Sequence, residues 1–80
     1  MARVRLFAAL RELAGASHVE TPGRSVGDIV DSLAARYGER FASIAAVGTF
    51  VVNGERATRA TPVADGDEVA LLPPVSGGRR

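Results

Sequence analysis

Few side chains of this sequence can do chemistry. It has one histidine, His18, no cysteine, and ten basic residues that are all arginine. Without cysteine there is no disulfide, no thiolate metal site and no thiol nucleophile. Without lysine there is no Schiff-base or phosphate-loop amine, and no side-chain amine on which an isopeptide chain could grow. Ser17, Ser25, Ser32 and Ser43 have no base partner by spacing, so no triad is expected. His18 reads as a solvated position on a short strand. Asp65, Asp67 and Glu68 gather acidic oxygens, but they lack the ligand count and spacing of a calcium loop. Asp-Gly-Asp is ordinary turn chemistry. No metal or cofactor site is expected inside the globule.

Two features survive this elimination. One is the C-terminal stretch Val75-Ser76-Gly77-Gly78, which follows Pro73-Pro74. Two glycines after a proline-ended strand form a thin arm that spans about 13–14 Å, at roughly 3.3–3.6 Å per residue. Such an arm can enter a narrow channel in another protein and present its end to reagents held there. The other feature is a pair of apolar side chains on the wrong face of their strands. In Arg3–Ala8, period-two alternation puts Val4, Leu6 and Ala8 on one face and Arg3, Arg5 and Phe7 on the other. In Asp67–Leu72 it puts Val69 and Leu71 opposite Ala70 and Leu72. If the two strands are parallel neighbours, Phe7 and Leu72 form an exposed apolar patch beside the tail, the kind of surface that marks a partner site. The alternative is that a short helix at Leu10–Ala14 covers Phe7.

The elements that must position these residues follow from pattern. Ala9–Ala14 is rich in helix formers and is stopped by Gly15. Ser17–Thr21 reads as a strand ended by Pro22-Gly23. Ser25, with Asp28 three residues on, opens the one strong helix. Its stripe of Val26, Ile29, Val30, Leu33, Ala34 and Tyr37 keeps helical period until Gly38. Phe41, Ile44 and Ala45 suggest a short further helix. Thr49–Asn53 is a strand, Asn53-Gly54 a hairpin signal, and Glu55–Thr61 a weak edge strand. Asp65-Gly66 turns the chain into the last strand, which Pro73-Pro74 ends. An amphipathic helix must lay its stripe on a sheet. The expected fold is therefore α+β: a ubiquitin-like β-grasp, with a small mixed sheet packed on one main helix and the first and last strands as parallel central neighbours. Residues 1–74 form that domain, and residues 75–80 a flexible tail.

Eighty residues hold one small domain and leave no room for a deep, enclosed active site. Ten arginines against nine acids leave a net charge of +1 without a basic block, which argues against a nucleic-acid partner. Apolar runs are too short to span a membrane, and Arg3 and Arg5 precede only Leu6–Leu10, too short for a secretory signal. A cytoplasmic protein is expected.

Two blocks resemble the MoaD/ThiS sulfur carriers, in particular the small subunit of molybdopterin synthase. Phe7-Ala8-Ala9-Leu10-Arg11-Glu12-Leu13-Ala14-Gly15 is similar to that family's FAxxRELxG. Asp65 to Gly78 is similar to its DGDEVAxxPPVxGG ending. The resemblance implies that Gly78, with Gly77 keeping the approach open, is the reactive end. An E1-like (MoeB-like) enzyme would use ATP to adenylate the Gly78 carboxylate, and sulfur delivery would then give a thiocarboxylate. A MoaE-like large subunit would use two such sulfurs to build the molybdopterin dithiolene. No cofactor is bound by the carrier, whose sulfur rides covalently. Phe7, Arg11, Leu72, Pro73, Pro74 and Val75 fall at the family's partner-facing positions, although Arg11 equally suits a structural salt bridge. Carriers for thiamin or cysteine synthesis, or a non-carrier β-grasp interaction module, are the alternatives. One departure stands out, because Arg79 and Arg80 follow Gly78 and convert its carboxylate into an amide. Either a protease trims them, or they are an appended scar, or this copy is no longer a carrier.

Overall fold

The structure is a computed structural model and describes residues 1–74. Alternation builds the first strand, β1 (Ala2–Leu6), which stops earlier than the pattern suggests. Phe7 keeps an extended backbone but serves as the N-cap of α1 (Ala8–Ala14), and the chain turns at Ala8, where φ is 50°. Gly15 ends α1 in the left-handed region at φ 75°, donating its N–H to the carbonyl of Arg11 at 2.9 Å. β2 (His18–Thr21) then returns antiparallel to β1.

The main helix, α2 (Val26–Tyr37), starts as its sequence dictates: Ser25 Oγ accepts the Asp28 N–H at 3.1 Å. In a full capping box the carboxylate would reach back to the N–H of Ser25 itself. The Asp28 carboxylate instead accepts from Arg24, one residue earlier, at 3.1 Å. Gly38, at φ 102° and ψ 178°, separates α2 from α3 (Glu39–Ala46), the short further helix that Phe41, Ile44 and Ala45 suggested. β3 (Thr49–Val52) and β4 (Glu55–Ala57) form a hairpin whose turn residues, Asn53 and Gly54, both have positive φ. That is the backbone an Asn-Gly hairpin requires. Only three residues of the Glu55–Thr61 stretch pair as a strand; the rest bends back onto α2, where the Gly27 N–H donates to the Arg59 carbonyl at 2.9 Å and Arg59 meets Asp31 at 3.1 Å.

β5 (Glu68–Leu72) closes the sheet in the order β2-β1-β5-β3-β4, parallel to β1 and antiparallel to β3. Val4, Leu6, Val69, Leu71 and Phe50 point from the sheet into a core completed by Leu10, Val26, Ile29, Leu33 and Phe41. The architecture is the expected ubiquitin-like β-grasp. No helix among the described residues is long and apolar enough to cross a membrane.

Candidate functional site

Because β-strand side chains alternate, burying Val4, Leu6, Val69, Leu71 and Phe50 forces their neighbours onto the other face of the sheet. The registers align those neighbours in one row, running His18, Arg5, Ala70, Val51, Arg56 from edge to edge. Leu72, half-buried, lies one step along β5 and pairs with Thr49. Phe7 is also half-buried, and the Arg5 guanidinium lies 5.4 Å from its ring centroid. A cation held over the ring covers part of it and leaves the rest available. α1 starts immediately after Phe7 without burying it. The apolar strip of Phe7, Val51, Ala70 and Leu72 therefore runs between arginines on both sides. Among the described residues, Arg5 and Arg56 have no carboxylate within 4.0 Å.

Pro73, half-buried, and Pro74, exposed, follow Leu72 at the end of this strip. Proline has no N–H for the ladder and a fixed φ, so pairing stops and the chain leaves the sheet in a set direction. Val75, Gly77 and Gly78 lie outside the described residues, as does the expected flexible tail. Arg11 is exposed in the last turn of α1, with no carboxylate within 4.0 Å among the described residues, so no salt bridge ties it to the body. Parity had already put Arg5 and Ala70 on the faces of Phe7 and Leu72, whereas Val51 and Arg56 were missed as members of the face. Alternation hinted at each, but only the register shows which strands lie side by side.

The acidic candidates have structural partners at the other end of the sheet. Asp65 accepts from the Met1 ammonium at 2.8 Å, and that hydrogen bond and charge hold its carboxyl below the ordinary value. Asp67 accepts from the Ala64 N–H at 2.8 Å and the Asn53 side-chain amide at 3.1 Å, which lower its pKa in the same way. Asn53 also accepts from the Glu68 N–H at 3.0 Å, so these residues tie the hairpin turn to the start of β5. Ser17 does have a base neighbour, contrary to the spacing argument: its Oγ lies 3.0 Å from Nδ1 of the adjacent His18. Both are exposed at the edge strand, and no carboxylate lies within 4.0 Å of the His18 ring among the described residues. Among the described residues, no group of three or more His, Cys, Asp or Glu side chains could hold a metal ion.

The ThiS family model matches residues 4–78. This chain belongs to the ThiS family. It is 38% identical to small archaeal modifier protein 1 of Haloferax volcanii, over 92% of this chain and 97% of that one. A chain of the Amycolatopsis orientalis BexX/CysO complex matches at 27% identity and a TM-score of 0.80, covering 98% of this chain and all of its own (100%). The putative molybdopterin converting factor subunit 1 of Pyrococcus furiosus matches at 29% identity and a TM-score of 0.73, covering 92% and 97% of the two chains. This chain is thus a ubiquitin-like sulfur carrier of the ThiS family.

Proposed function

We propose that this ThiS-family chain is the sulfur-carrying small subunit of molybdopterin synthase. The observation that carries the reading is the C-terminal block: Asp65 to Gly78 resembles that subunit's DGDEVAxxPPVxGG ending. The family match also ends at Gly78, two residues short of Arg80, which supports Gly78 as the working end.

The chemistry starts with hydrolysis of the Gly78–Arg79 peptide bond, which frees a carboxylate. Removing two arginines takes the net charge from +1 to −1, because eight arginines then face nine acids. A carboxylate is a poor electrophile. Its oxygen attacks the α-phosphate of ATP in an E1-like partner, giving an acyl-adenylate and pyrophosphate. The outer sulfur of a persulfide donor then displaces AMP, giving an acyl disulfide, and a thiol attacks the donor's sulfur in that disulfide, leaving the thiocarboxylate on Gly78 and a mixed disulfide on the donor. The apolar strip of Phe7, Val51, Ala70 and Leu72 is the surface each partner would grip while the tail enters its channel. Both the activating enzyme and the large synthase subunit would use it in turn, and the chain would stay in the cytoplasm throughout.

Intact-mass measurement after incubation with a carboxypeptidase that removes C-terminal arginine, ATP, an activating enzyme, a persulfide donor and a thiol tests this reading. The expected product has lost Arg79-Arg80 and carries sulfur in place of one carboxylate oxygen. Capture of a molybdopterin-synthase large subunit by the loaded chain supports the assignment, whereas a thiazole or cysteine synthase in its place overturns it. A second reading draws on the 38% identity to an archaeal modifier. On that reading the same adenylate acylates an amine of another protein, releasing AMP and forming an amide.

A further inference from the structure

We propose that Gly48 sets the direction in which the reactive tail leaves the body. The last pair of the β3–β5 ladder is Thr49 with Leu72. One step beyond it, Gly48 faces the root of the tail. A β-carbon on Gly48 would lie 3.2 Å from the carbonyl carbon of Leu72 and 3.4 Å from Cα of Pro73, and closer still to the Leu72 carbonyl oxygen. All three are backbone atoms, so no side chain can swing aside to make room. Gly48 is not among the glycines with positive φ, which are Gly15, Gly38, Gly54 and Gly66. Its backbone suits any residue, and the position needs glycine for space alone. The other four show the converse: their φ requires glycine, and nothing lies within 4 Å of their missing β-carbons.

Gly48 cannot easily retreat. Its N–H donates to the Ala45 carbonyl at 3.1 Å, at the end of α3, and the paired Thr49 follows it. On the opposite side Pro73 has no N–H to anchor it, and Pro74 is exposed. A side chain at position 48 therefore pushes the tail root outward. The two proline rings lock φ and carry that change of direction into the tail. Gly48 is thus a positioning residue that works at a distance in sequence from Gly78 and touches neither ATP nor sulfur.

The inference rests on activation of the tail in the proposed function, and the test separates the two. ATP–pyrophosphate exchange by an E1-like enzyme is measured on the chain ending at Gly78, as wild type, Gly48→Ala and Gly54→Ala. Gly54→Ala strains a turn at the far end of the sheet and serves as a control for lost stability. Gly48→Ala should lower kcat at least five-fold and raise KM by a smaller factor, because the side chains of the gripping strip are unchanged and delivery of the end is what suffers most. Gly54→Ala should melt lower yet keep kcat within two-fold. Wild-type kcat in folded Gly48→Ala overturns the inference. If Gly48→Ala does not fold, Pro73→Ala replaces it: freeing φ at the root should lower kcat likewise, and an unchanged kcat overturns the inference. If the wild type supports no exchange, the sulfur-carrier reading falls instead. Amide spectra of the full chain then decide, since shifts centred on Leu72 and Thr49 in Gly48→Ala support the inference and an undisturbed ladder refutes it.

Discussion

Leu71 and Leu72 are adjacent on β5 and point to opposite faces, so on the proposed reading one strand separates folding from recognition. Leu71 has no exposed surface, packed in the core, whereas Leu72 is half-buried on the outer strip. Leu71→Ala removes three buried carbons and leaves a cavity, at a cost of about 2–5 kcal/mol. Against a total of roughly 4–12 kcal/mol for a domain of this size, that is a large share. The melting temperature should fall by about 8–40 °C, at roughly 4–8 °C per kcal/mol. Leu72→Ala gives up only part of a half-buried side chain, so its melting temperature should fall by less than about 5 °C. In a complex the rest of Leu72 becomes buried, and full burial of a leucine contributes about 1.5–3 kcal/mol. Losing roughly half of that weakens partner binding about four- to twelve-fold. The assay is thermal melting alongside titration calorimetry against an E1-like enzyme, at a temperature where both variants are folded. Equal loss of affinity in both variants, or none in Leu72→Ala, would refute the assignment of the outer strip as the gripping surface.

Three further outcomes are expected. Asp67 has a lowered folded pKa, so its contribution to stability is present above the ordinary value of 3.8 and is lost as pH falls through the lower folded value; Asp67→Asn should flatten the acid limb of the melting-temperature profile below pH 3.8. Gly38 joins α2 to α3 at φ 102° and ψ 178°, with nothing within 4 Å of its missing β-carbon. Gly38→Ala should then lose about 1–3 kcal/mol through backbone strain alone in urea denaturation. Finally, the sequence contains no lysine. If the activated chain is joined to amines of other proteins, mass spectrometry should find single copies at each acceptor site, with no branched ladder built through its side chains.

Much of this fold is legible in the sequence because its signals are local. The Val26–Tyr37 stripe, the Ser25 cap and the Asn53-Gly54 hairpin each specify their own element. The alternation around Val69 and Leu71 was enough to assign faces. Other features depend on contacts between distant segments. Nothing near Gly48 reveals that Leu72 and Pro73 pass against it, and nothing near Gly27 reveals that Arg59 docks there. The end of β1 was misplaced because Phe7 is extended, like a strand residue, yet caps a helix. Phe7 and Leu72 could be suspected from parity, but Val51 and Arg56 join them only through the β3–β5 and β3–β4 registers.

The parallel pairing of β1 with β5 has a practical consequence. Met1 is held by Asp65 just before β5 begins, while Pro73 departs from where β5 finishes. The length of that strand, about 17 Å at 3.3–3.4 Å per residue, keeps them apart. Both partners of the Met1–Asp65 pair are well exposed, so disturbing it should leave the fold intact. A fluorophore or affinity handle attached at Met1 would ride as a passenger on the rear of the molecule, allowing each handover of the chain between enzymes to be watched without obstructing it.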